Sequence, residues 1–143
     1  MTVLQGADVA AADSATVVGE VYTLIDSWVS SVQAADIEAL ARLVTPDATF
    51  WTHGAPELAG RDALAAAFGP VFARYSMEQD FRCEELVVSG DMGFMRGTEF
   101  NRLIPRREGP AIERQQRAFS IIRRGADGRW RFAHGMTNLA PDP

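Results

Sequence analysis

Two alternating, β-favouring runs, residues 117–124 and 129–138, flank the turn residues Gly125, Ala126, Asp127 and Gly128. Residues that accept positive φ, set between alternating runs, predict an antiparallel hairpin. Alternation puts Trp130, Phe132, His134, Met136 and Asn138 on one face of the last strand. Arg131, Ala133, Gly135 and Thr137 then share the other. The chain is therefore expected to finish in a well-specified sheet, with His134, one of only two histidines, built into it.

The elements ahead of this hairpin can be read the same way. Val17, Val21, Leu24, Ile25, Trp28, Val29 and Val32 recur at helical spacing, which predicts an amphipathic helix over residues 14–32. Asp36 is suited to cap a short second helix bearing Ile37, Leu40 and Leu43, which Pro46 should stop. Residues 48–53 read as a strand, and residues 61–75 as a third helix that Gly69-Pro70 should kink or break. Three long β-segments follow, over 78–89, 92–104 and 111–124, the first two joined by Gly90-Asp91. Helices packed on one curved antiparallel sheet make an α+β domain. We expect a single domain over 15–138, a loose N-terminal tail over 1–14 and a short C-terminal tail over 139–143.

Composition removes several function classes. All fourteen basic residues are arginine, so neither an enzyme amine for Schiff-base chemistry nor a P-loop lysine is present. Residues 1–90 carry four arginines against thirteen acids, −9, and residues 91–143 ten against six, +4. An acidic whole argues against nucleic acid as partner. No apolar run has the length to cross a bilayer, so no membrane partner is expected. A single cysteine, Cys83, cannot close an internal disulfide, which fits a reducing cytoplasm. We read Cys83 as a small strand residue rather than a nucleophile.

Five short words, taken in order, resemble a known family. They are Ala35-Asp36-Ile37-Glu38-Ala39-Leu40, Val44-Thr45-Pro46-Asp47-Ala48-Thr49-Phe50, Gly60-Arg61-Asp62-Ala63-Leu64, Ser89-Gly90-Asp91-Met92-Gly93 and Asp127-Gly128-Arg129-Trp130. The pattern is similar to the nuclear-transport-factor-2-like (NTF2-like) superfamily, in its SnoaL-like, ketosteroid-isomerase-like branch. That resemblance implies a cone: three N-terminal helices packed on a strongly curved antiparallel sheet, with a pocket in its mouth. It also implies a homodimer formed through the sheet. The fold hosts isomerases, cyclases and dehydratases as well as inert association domains, so it specifies little chemistry. Where steroid isomerases place a catalytic aspartate this chain has Thr52; their oxyanion-binding tyrosine and aspartate fall near Trp28 and Phe119. None of the three can do the original task, which excludes that constellation and not catalysis.

The candidate site therefore rests on other polar residues expected to point inward. His134, between Phe132 and Met136, could act as a base, with a satisfied core histidine as the bland alternative. His53 ends the first predicted strand, near the family's pocket mouth. Glu99, mid-strand in Gly97-Thr98-Glu99-Phe100, would have its pKa raised by desolvation if it faced the core. Arg117 shares strand parity with Phe119 and Ile121, whose family equivalents face inward, so a Glu99–Arg117 ion pair is the structural alternative for both. Trp28, Phe50, Thr52, Phe72, Tyr75 and Phe119 would line an apolar, aromatic pocket for a small apolar or aromatic molecule. His53, His134 and Glu99 lack recognisable metal-ligand spacing, and no organic cofactor is expected. The expected function is cofactor-independent acid–base chemistry, such as cyclisation, isomerisation or dehydration in secondary metabolism. The alternative is a non-catalytic binding or dimeric association module.

Overall fold

The computed structural model describes residues 2–3 and 11–142. In chain order the elements are β1 (Thr2–Val3), α1 (Ala11–Gln33), α2 (Ile37–Arg42), β2 (Val44–Trp51), β3 (Leu58–Ala59), α3 (Arg61–Arg74), β4 (Tyr75–Ser89), β5 (Met92–Pro105), β6 (Ile112–Arg124) and β7 (Trp130–Leu139). The expectation of a tail over 1–14 is thus corrected at two places. Thr2–Val3 pair with β4, and α1 begins at Ala11; residues 1 and 4–10 lie outside the described residues.

The buried stripe of α1, Val17, Val21, Leu24, Ile25 and Val32, is the one its periodicity predicts. The helix closes with Ala35 in the left-handed region (φ 54°) and Asp36 N–H donating to the Ser31 carbonyl, the geometry of a Schellman stop. Asp36 then caps α2 by accepting from the Ala39 N–H at 3.0 Å. Pro46 does not end α2, which stops at Arg42; it sits inside β2, where the pairing to β7 breaks register between Val44 and Thr49. A proline inside a strand belongs at such an irregularity, because it has no N–H for the ladder. α3 also runs unbroken through Pro70. Ala66, whose carbonyl loses its partner, and Pro70 are both exposed, so water can replace the missing bond.

The seven strands form one sheet in the order β1-β4-β5-β6-β7-β2-β3. β4 to β7 make the antiparallel meander read from sequence, but β2 pairs parallel to β7 and β1 parallel to β4. The expected antiparallel sheet is therefore corrected to a mixed one, and α3 follows the first long strand, the order predicted for residues 48–53 and 61–75. The closing turn forms as predicted: Gly128 has φ 79°, and Asp127 takes both Arg131 Nη1 and Nη2, at 3.0 and 2.7 Å. That two-point contact, then the Arg129 backbone, holds the Asp127 carboxyl well below the usual carboxylate range.

Face assignment along β7 departs from simple alternation. Ile122 lies opposite Phe132 and Ile121 opposite His134, so Ala133 is an extra residue, a β-bulge. Trp130 and Phe132 point to the helices. Beyond the bulge the inward parity moves to Gly135 and Thr137, and His134 and Met136 turn to the opposite face. β6 keeps one parity, fixed by fully buried Ile122, which places Ala118 and Ser120 inward and Arg117, Phe119 and Ile121 outward. The main core joins α1 to the inner face through Val21, Leu24, Leu86, Met95, Ile122 and Trp130; a smaller cluster of Val32, Leu40 and Phe72 joins the helices.

Candidate functional site

Between α1 and the inner face of the sheet lies a cavity lined by Ile25, Trp28, Val29, Phe50, Phe81, Met95, Phe132 and Gly135, with Glu99, Ser120 and Thr137 as its polar members. Trp51 and Thr52, both exposed, stand at its mouth. Gly135 is required here because a Cβ would fall 2.7 Å from the Phe50 ring, which lies across β7 as part of the wall. The interior offers about 90 Å³ to the centres of water-sized spheres. One water takes about 10–15 Å³ on that measure, so the space suits a small molecule and not a polymer.

Among the described residues Glu99 is the only ionisable side chain in this lining. Phe81 faces it across β4 and Gln116 across β6, both neutral. Burial pushes its carboxyl above the ordinary carboxylate range, and one hydrogen bond, from Asn101 Nδ2 to Glu99 Oε2 at 2.8 Å, partly offsets that rise. The chain of amides continues: Gln79 Nε2 donates to Asn101 Oδ1 at 2.9 Å, and the Gln79 backbone N–H donates to Gln33 Oε1 at 3.2 Å. Among the described residues Gln79 Oε1 is buried without a hydrogen-bond partner, an arrangement that generally costs about 1–3 kcal/mol. Sequence reasoning found Glu99 and missed Asn101. The signal was there: residues i and i+2 of a strand share a face.

The other expected site residues divide. Trp28, Phe50 and Thr52 line the cavity. Phe72 does not; it belongs to the small cluster with Val32 and Leu40. Tyr75, the first residue of β4 opposite Pro105, is also outside the lining. Phe119 is 40 % exposed on the outer face and stacks on Phe94, centroids 5.4 Å apart. Arg117 is on that same face, opposite Thr98, so the Glu99–Arg117 ion pair is overturned: the sheet separates the two. His53 is exposed in the turn after β2 and is absent from the lining.

His134, expected to point inward, is carried outward by the Ala133 bulge. It is exposed, and its Nδ1 lies 2.7 Å from Thr49 Oγ1 on the parallel neighbour strand. Since that bond is open to water, His134→Ala is expected to cost only about 0.5–1.5 kcal/mol in a urea titration. A cost above 3 kcal/mol would contradict the outward placement, since it requires a core side chain. His53, His134 and Glu99 thus stand in three different settings, and among the described residues no three His, Cys, Asp or Glu side chains gather as a metal site. Cys83 is buried, and burial pushes its thiol up, which keeps it protonated and poorly nucleophilic. It pairs with Tyr22, whose hydroxyl is pushed up to about 12, mainly by burial. Among the described residues no helix is long and apolar enough to cross a membrane.

Residues 25–133 match the family model of the SnoaL-like domain. No functionally curated protein matches the chain in sequence. Solved structures do. A conserved protein from Planctomyces limnophilus is 26% identical, with 92% of this chain and 100% of that one covered at a TM-score of 0.81. A candidate scytalone dehydratase from Novosphingobium aromaticivorans is 14% identical, covering 92% and 89% at 0.82. An NTF2-like protein with a cystatin-like fold, also from Novosphingobium aromaticivorans, is 21% identical, covering 96% and 94% at 0.76. The architecture is the NTF2-like α+β fold, helices on a mixed sheet that does not close.

Proposed function

Because the chain belongs to the SnoaL-like domain family, we propose that it is a small-molecule enzyme in which Glu99 moves a proton inside the apolar cavity, without a metal or organic cofactor. The single observation that carries this is a lone carboxyl, raised in proton affinity by burial, in a cavity otherwise walled by apolar and hydroxyl groups. A protonated Glu99 can act as general acid at a departing hydroxyl, and its anion can then accept a proton from carbon. The substrate is an apolar, oxygenated molecule of compact size, with Ser120 and Thr137 able to hydrogen-bond its oxygens. Trp28, Phe50 and Thr52 contact its body. Dehydration uses both steps; an isomerisation would instead take a proton from one carbon and return it to another, and an aldol-type cyclisation would take it from carbon and deliver it to a carbonyl oxygen. One solved protein of like fold is described as a candidate dehydratase, but at 14% identity it shares only the fold, and the carboxyl supports the reading rather than the likeness. Turnover of hydroxylated and carbonyl-bearing ring compounds by wild-type protein, with Glu99→Gln as control, tests it. Equal turnover by the two proteins would sink it.

One observation favours the second reading, an association module. The outer face of the sheet exposes Trp51 by 59 %, Met136 by 49 % and Phe119 by 40 %, and with Thr49, Ile121 and His134 they surround a shallow apolar depression. Exposed apolar groups gathered in this way mark contact surfaces. A second copy seated on this face would meet the cavity only at its rim, through Trp51 and Met136, which border both surfaces, and Glu99 lies on the opposite face of the sheet, so the two readings are compatible. Light scattering at micromolar concentration is expected to give twice the chain mass; a strict monomer removes the association version.

A further inference from the structure

Among the described residues Glu99 has one polar partner, Asn101, and an amide can meet a carboxylate either way round: with its N–H₂ as a donor or with its oxygen as a repelling acceptor. Gln79 settles the choice. By donating from Nε2 to Asn101 Oδ1 at 2.9 Å it occupies the oxygen of Asn101 and leaves Nδ2 for Glu99 Oε2, at 2.8 Å. Gln79 is itself fixed at its backbone by Gln33 from α1, and holds its orientation although its own Oε1 is buried without a partner among the described residues. An arrangement that leaves an oxygen unsatisfied at one end in order to present a donor at the other is directional.

We infer that Asn101, oriented by Gln79, is a positioning residue that reserves Glu99 Oε2 as an acceptor and so confines the transferable proton to Glu99 Oε1. The inference rests on the reading of Glu99 as the proton carrier, and adds a device: of the two carboxyl oxygens only one delivers and receives protons. The proton balance is simple. When Glu99 is protonated, Oε1 carries the hydrogen and Oε2 keeps its bond from Asn101; on transfer Oε1 loses the hydrogen to the substrate, and the Asn101 bond shortens onto an anion. The groups facing Glu99 from β4, β6 and α1, namely Phe81, Gln116 and the cavity residues Ile25, Trp28 and Val29, carry no charge that would choose between the oxygens.

The experiment is a carboxyl and side-chain-amide NMR titration, which needs no substrate and so succeeds or fails separately from the catalytic reading. In the wild-type protein the Asn101 Nδ2 protons are expected to shift with the same midpoint as the Glu99 carboxyl, and Glu99→Gln should abolish that shift. Asn101→Leu, by removing the donor, should move the Glu99 midpoint to higher pH. Gln79→Leu, which frees the Asn101 amide to turn over, should move it in the same direction by less. A purely structural role would lower stability in both variants and leave the midpoint in place. Asn101 amide protons that stay still through the Glu99 transition overturn the inference on the wild-type chain alone, whether or not either variant folds. An unmoved or lowered midpoint in Asn101→Leu overturns it as well. If the titrations behave as expected while Glu99→Gln keeps full turnover, the positioning stands and the catalytic reading falls.

Discussion

Glu99→Gln is expected to lower turnover of a substrate of the cavity by about 10²–10⁴-fold, the usual worth of a positioned acid or base, while making the fold firmer at neutral pH. Both halves come from the same burial. A carboxyl whose proton affinity is higher in the folded than in the unfolded chain binds more protons when native. Its ionisation therefore subtracts stability as pH rises from the unfolded pKa through the folded one, and the loss is complete above it. Glutamine has no such proton and still offers Asn101 an oxygen to donate to. The stability advantage of the variant is accordingly absent in acid, grows through that window and is level beyond it. Urea titrations across pH measure this, alongside turnover. A variant that loses stability as pH rises would mean that the fold favours the Glu99 anion, and the proposed acid would be wrong.

Trp28→Ala is expected to cost about 3 kcal/mol, the low end for deleting a large aromatic because Trp28 is only partly buried. Trp28 packs against both the main core and the small helical cluster, and its ring lies 5.4 Å from Phe132, 6.0 Å from Phe68 and 6.5 Å from Phe50. The contacts with Phe132 and Phe68 are edge-on, a geometry that adds to the area it buries. Removing the indole opens the cavity toward α3 and leaves the Val32, Leu40 and Phe72 cluster to hold that helix to α1, a loss that neither Phe68 nor Phe50 can compensate without moving. Equilibrium unfolding gives the number directly. A loss under 1 kcal/mol would show that the valines of α1 alone hold the helix to the sheet, and that the cavity wall is dispensable to the fold.

Much of this architecture is written locally and so could be read. The stripe of α1, the Asp36 cap, the Gly90-Asp91 turn and the Gly125 to Gly128 turn each depend on residues a few positions apart. The face of a long strand does not. Nothing in Trp130 to Asn138 marks Ala133 as the extra residue, since alanine suits a strand as well as a bulge, yet that one position moves His134 from the inner face to the outer. The parallel pairing of β2 with β7 joins residues 85 positions apart, His134 and Thr49, and no local signal foretells it. Arg117 and Phe119 were placed inward by family likeness, whereas fully buried Ile122 fixes their strand the other way. Glu99 was legible as a mid-strand carboxylate; its dependence on Asn101 and Gln79 needed the β4–β5 register.

The carboxyl in the cavity differs in one respect from most perturbed acids. Its shift comes from burial and from a neutral amide, and no ionic neighbour contributes to it. Dissolved salt acts by screening charge against charge. It can loosen exposed pairs such as Arg96 with Glu85, or Arg124 with Asp91, but in the cavity it finds no pair to weaken. The protonation of Glu99 is thereby expected to change little between dilute buffer and brine, where that of an ion-paired acid would move.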